Sequence, residues 1–179
     1  MTDDADVSKL VGCATTEARE NLLAQIFMSH RPRLRSMVDL RLDPRIRARV
    51  DPSDVLQDAY MDASRRVDEF LRDRPMPLFL WLRRITSQRL VDICRFHLGA
   101  EARAAGKEVH LACGPEIEAS TDALTSHLLA KSNSPLDAML QAETAARVRE
   151  ALEALEPMDR EILALRHFEE LSNGEAARV

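Results

Sequence analysis

Three aspartates raise the first chemical question. In DPSDVLQDAYMDASRRVDEF (residues 51–70), Asp54, Asp58 and Asp62 recur at i, i+4 and i+8. A helix over this stretch therefore carries a row of carboxylates along one face, with Gln57 beside Asp58. Such a row is, on its own, an ordinary solvated acidic face. It does not suit a metal ion, because no histidine or glutamate completes a coordination set. Downstream, LFLWLRRITSQRLVDICRFHL (78–98) places Arg84, Gln88 and Arg95 together on a second helix, with Trp81 and Asp92 at the edge of that face. Guanidinium groups neutralise phosphate, an amide hydrogen-bonds to a base edge, and an indole stacks on an unpaired base. This face has the chemistry of nucleic-acid binding; the plainer alternative is a surface helix whose tryptophan is core.

A third constellation points elsewhere. Cys94-x2-His97 and His110-x2-Cys113 are two matched pairs separated by 12 residues, a spacing that could close a tetrahedral zinc site. Enzyme chemistry has no comparable footing: the sequence holds no phosphate-cradling glycine loop, no His-Glu-x-x-His and no nucleophile elbow. His30 and His167 lie on expected helices, as surface or core residues. No cofactor is expected and the chain is not expected to be an enzyme.

The elements that must position these residues are helices. Hydrophobic residues make up 45% of the 179, aromatic residues only 4%, and no alternating strand pattern of useful length occurs, so the fold class is all-α. The net charge of −5 conceals segregation. Residues 31–49 hold seven arginines against Asp39 and Asp43, residues 83–107 hold six basic residues against Asp92 and Glu101, and residues 108–141 are acidic. A chain organised in this way can bind a polyanion despite an acidic total. Three cysteines, an acidic MTDDADVSKL opening and a longest apolar run of PLFLWL predict free thiols, no secretory leader, no membrane span and a cytoplasmic location.

Periodicity predicts a disordered N-terminus over 1–15 and a helix from Thr16 with Leu22, Leu23, Ile26 and Phe27 on one face. A separate arginine-rich segment follows Pro32. The helix after Asp51 buries Val55, Leu56, Ala59, Tyr60, Ala63, Val67 and Phe70, and LRDRPMP (71–77) ends it. Residues 16–100 form one small helical domain and residues 101–135 a flexible linker with one short helix near 121–130. Residues 136–179 form a second small helical domain, in which Ser172 and Glu175 have the spacing of a capping box.

At this point the chain resembles a known family. FLWLRRITSQRLVDICRF is similar to the promoter-reading helix of bacterial sigma factors of the extracytoplasmic-function class, through Trp81-Leu82, Ile85, Gln88, Asp92 and Arg95. DPSDVLQDAYMDASRRVDEF resembles the helix before it, and ALEALEPMDREILALRHFEELSNGEAARV resembles the start of the second domain of such factors. The resemblance covers roughly 20–100 and 136–179, in the family's order. It implies a factor that directs core RNA polymerase to promoters and assists their opening. Asp54, Gln57, Asp58 and Asp62 would dock on a coiled coil of the polymerase β′ subunit. Arg83, Arg84, Arg89 and Arg95 would track promoter DNA phosphates, Gln88 would read a −10 base where the family commonly has asparagine, and Trp81 would either wedge beside it or belong to the core. The loop 71–77 would help to trap an unstacked base. An anti-sigma protein is a further partner the resemblance allows. The sequence stops within the helix-turn-helix, before a recognition helix, so −10 but not −35 recognition is expected. The alternatives are a conventional helix-turn-helix regulator, which LSNGEAARV fits and the acidic helix does not, and a helical protein-interaction module without DNA binding.

Overall fold

The computed structural model describes residues 2–105, 117–130 and 138–179. The fold is all-α: among the described residues eight helices run α1 (Thr2–Gly12), α2 (Thr16–Arg41), α3 (Pro52–Asp73), α4 (Leu78–Ala105), α5 (Thr121–Ala130), α6 (Ala138–Glu153), α7 (Pro157–His167) and α8 (Asn173–Ala176). Among the described residues no helix is long and apolar enough to cross a membrane.

The main core is built where α2, α3 and α4 pack together. On α3 the apolar positions fall at helical spacing, so Val55, Leu56, Ala59, Ala63, Val67 and Phe70 are all buried and Tyr60 is partly covered. Asp51 starts this helix, its carboxylate accepting from the Ser53 N–H at 2.7 Å, with Pro52 tolerated in the first turn. The helix stops at Arg74, which turns into the left-handed region (φ 42°) while its N–H closes on the Phe70 carbonyl; Pro75 then bars continuation. The chain reverses and α4 packs back along α3. The first turns of α4 are apolar nearly all round, and Leu78, Phe79, Leu80, Trp81 and Leu82 are all buried.

Two expectations for the N-terminal part are corrected. Residues expected to be disordered form α1, which buries Val7 and Leu10 and uses the Asp3 carboxylate to accept from the Phe79 N–H at the start of α4, 3.2 Å. A carboxylate at a helix N-terminus is stabilised by the unpaired amides there. The expected break at Pro32 is also absent: α2 continues through it for 26 residues from its Thr15 cap. The missing N–H falls opposite the turn of Met28, which is 61% exposed, so water can satisfy the carbonyl left without a donor.

The C-terminal helices lie against this core instead of standing apart from it on a tether. Leu165 and Leu171 join the main core cluster, and Leu40 of α2 joins Leu124, Leu152 and Ala164 in a second one that links α2, α5, α6 and α7. The Ser120 N–H donates to the Leu40 carbonyl at 2.8 Å, and this fixes the entry to α5.

Phe70 stacks on Trp81 with ring centroids 4.5 Å apart and planes 22° from parallel. Phe70→Ala should cost about 3–5 kcal/mol in urea unfolding, the usual range for a buried aromatic truncated to a cavity. His30 gives a second prediction. Its ring lies 5.0 Å from Phe79 and its Nε2 is buried without a hydrogen-bond partner. Burial holds its pKa below the ordinary value and Arg33 acts in the same sense; Asp3, Asp6 and Glu175 oppose them without prevailing. Below a pH of about 6.5 the unfolded chain then binds a proton that the folded chain resists, so stability falls as pH drops from about 7 toward 5. His30→Gln should flatten that slope in denaturant titrations across the range.

Candidate protein and nucleic-acid interface

The α3–α4 pair presents two chemically different faces beside one core. On α3, Asp54 and Gln57 are exposed and Asp58 and Asp62 half-exposed, because the buried positions Val55, Leu56, Ala59 and Ala63 direct them outward. Asp62 pairs with Arg65 one turn on, at 3.2 Å. On α4, Arg84, Gln88 and Arg95 are exposed together, with Arg66 of α3 reaching to 3.5 Å from the Gln88 side-chain oxygen.

The two faces meet at a seam. Arg89 Nε and Nη2 both donate to one Asp58 oxygen, at 3.0 and 2.7 Å, and these hydrogen bonds hold the Arg89 pKa above its ordinary value. Asp58 and Arg89, assigned from the sequence to a protein and to DNA respectively, are therefore partners in the free molecule. Their side chains remain 46% and 37% exposed.

Two residues expected on the nucleic-acid face are elsewhere. Trp81 is core, stacked on Phe70. Arg83 is buried, its Nε donating to Glu169 Oε2 at 2.6 Å. The helical wheel gives angle but not depth. Trp81 and Gln88 are seven residues apart, about two turns, and share an angle. Only the tier of Trp81 is covered, by the end of α3. Trp81 and Phe70 nevertheless line a small cavity of about 100 Å³ together with Arg66, Arg84, Glu69 and Asp73, beside a loop that is only 74–77 because α3 runs on through Asp73.

Sequence reasoning missed the contacts that dock the C-terminal helices. Arg41 and Glu169 belong to unremarkable charged stretches, yet their side chains are 2% and 0% exposed and lie 2.5 Å apart. Arg41 also pairs with Glu161, whose other oxygen accepts from the Ala119 N–H. Desolvation works against the Arg41 charge, but Glu169 and Glu161 outweigh it and its pKa is raised. The bulky Phe96 on α4, 69% exposed beside Arg95, was likewise not singled out. Of the zinc candidates, Cys94 is buried and His97 half-buried on α4, while His110 and Cys113 lie outside the described residues. Among the described residues no cluster of three metal-ligating side chains occurs.

Comparison with protein-family models, with curated proteins and with solved structures finds no match to the chain.

The exposure of the Asp58–Arg89 pair sets its strength. A double-mutant cycle with Asp58→Ala and Arg89→Ala should give a coupling of about 1 kcal/mol or less, shrinking as salt is raised. A larger, salt-insensitive coupling would mean that the seam is a structural bond rather than a contact open to exchange.

Proposed function

We propose that this chain is a sigma-type transcription factor of the extracytoplasmic-function class. In this reading it docks on core RNA polymerase through α3 and engages the −10 promoter element through α4. The reading is carried by one juxtaposition: Asp54, Gln57 and Asp58 on α3 stand beside Arg84, Gln88 and Arg95 on α4, on a helix pair fixed by a shared core. An acidic stripe meeting a basic partner helix gives orientation and fast association more than raw affinity. The adjoining guanidinium groups hold DNA phosphates, which the acidic helix would repel. Segregated charge thus lets one helical pair hold a protein and a nucleic acid at once.

The division of labour follows from reach. Arg84 and Arg95 supply positioning contacts, since phosphate contacts fix register without reading sequence. Gln88 has the amide that can read a base edge. The cavity at Trp81 and Phe70 offers apolar ring surface to a base leaving the stack, with the loop 74–77 beside it. No covalent chemistry is required of the chain, since strand opening is driven by binding the separated state more tightly than the duplex.

Co-purification with core RNA polymerase tests the reading. The folded chain should be retained. Asp54→Arg, which leaves the Asp58–Arg89 pair untouched, should lower retention by an order of magnitude or more, as charge reversal at an electrostatic interface does. No retention of a folded, helical wild-type sample would sink the docking assignment and favour the interaction-module alternative.

A further inference from the structure

A carboxylate placed where water cannot reach it shows what its surroundings are built to hold. The Glu169 side chain is fully buried, and three arginines from two helices converge on it and its backbone. Arg83 Nε donates to Oε2 at 2.6 Å, and Arg41 Nη1 lies 2.5 Å from Oε1. Arg33 donates from Nε to the Glu169 carbonyl at 2.8 Å and from Nη2 to the Glu170 carbonyl at 3.0 Å, with its guanidinium 3.7 Å above the Phe79 ring. These arginines come from α2 and α4, and the Glu169 and Glu170 acceptors lie on the short turn that follows α7; Arg41 also pairs with Glu161 on α7 itself. Planar forks aimed at closely spaced anionic and carbonyl oxygens are the geometry of oxyanion recognition.

We propose that Arg33, Arg41 and Arg83 form a latent binding site for nucleic-acid phosphates, occupied in the closed molecule by Glu169 and the carbonyls of its turn. The ligand class rests on the function proposed above; the closed clasp does not. Three features make the internal ligand displaceable. Glu169 Oε1 meets Arg41 as a charge contact without hydrogen-bond geometry, so a buried oxygen is left poorly satisfied. The turn runs through Glu170 in the left-handed region (φ 54°), a conformation uncommon for a residue with a side chain. Desolvation of a buried ion pair also cancels much of its attraction, so opening returns hydration for what it loses. Against this stand the apolar contacts of Leu165 and Leu171 with the main core, which bias the molecule toward the closed form. Phosphodiesters bind the arginines only in the open form and shift the population toward it.

Hydrogen exchange and binding of a twenty-residue oligo-dT, measured on wild type and Glu169→Gln, test the site. Exchange in the α7 amides and in the 168–171 turn should quicken at least tenfold in the variant. Its oligo-dT affinity should rise several-fold at 50 mM salt. The plot of log affinity against log salt should steepen by about two, three phosphate contacts at roughly 0.7 each. Adding Arg41→Ala or Arg83→Ala to Glu169→Gln should remove the gain. Leu171→Ala, which loosens the turn without changing charge, should move both readouts in the same direction and carries the test if Glu169→Gln does not fold. Faster exchange with no gain in oligo-dT affinity would overturn the proposal, as would unchanged exchange. So would an equal gain for poly-glutamate, which would make the site a general carboxylate receptor. Gains in exchange and affinity in a chain that fails to retain polymerase would uphold the site and remove only the polymerase reading.

Discussion

Charge cannot be buried without a counter-charge, and that constraint decides how the two ends of this chain meet. Glu169 enters the protein interior only because Arg41 and Arg83 are already there. They in turn are tolerable only with Glu169 and Glu161 beside them. Apolar contact alone, through Leu165 and Leu171, would bring the C-terminal helices to the surface of the α2–α4 core with little to choose between neighbouring positions. Matching the buried charges selects one arrangement, since a slip of one residue would strand a guanidinium away from water. The ionic contacts contribute specificity of placement; apolar burial contributes the driving force.

The same rule orders the exposed side of the molecule. Arg83 and Arg84 are sequence neighbours about 100° apart on a helix, so one points into the C-terminal turn and the other into solvent. Asp58 and Arg89 sit where acidic and basic faces meet, half wetted, and their pairing loses little when either finds another partner. Charge on this protein is thus graded by depth: clasped at Glu169, exchangeable at the Asp58–Arg89 seam, and fully presented at Asp54 and Arg84.

What the sequence disclosed follows the same gradient. The buried face of α3, the Ser172–Glu175 capping box, the short helix near 121–130 and the all-α class were legible, because each depends on local spacing or a cap. The exposed positions of α3 followed from its buried ones. Trp81 and Arg83 were misplaced because periodicity gives the angle of a side chain about its helix and carries no information on which tier a distant segment covers. The helix through Pro32 and the ordered α1 were missed for related reasons. Pro32 is accommodated by solvent at Met28, and α1 is held by the start of α4, 76 residues away along the chain.

The pairing of Arg83 with Glu169 was the least legible of all, and the reason is physical. A contact between residues 86 apart leaves no local trace, and glutamate in a charged stretch reads as a solvated residue. Yet such a contact makes the availability of a charge conditional. An arginine on the surface is always open to an anion, whereas one clasped by an internal carboxylate becomes available only when the clasp opens. A protein that must meet polyanions in sequence, rather than all at once, gains more from conditional charge than from more charge. In the function proposed here, the closed C-terminal turn would give this chain that condition without altering the exposed face of α4.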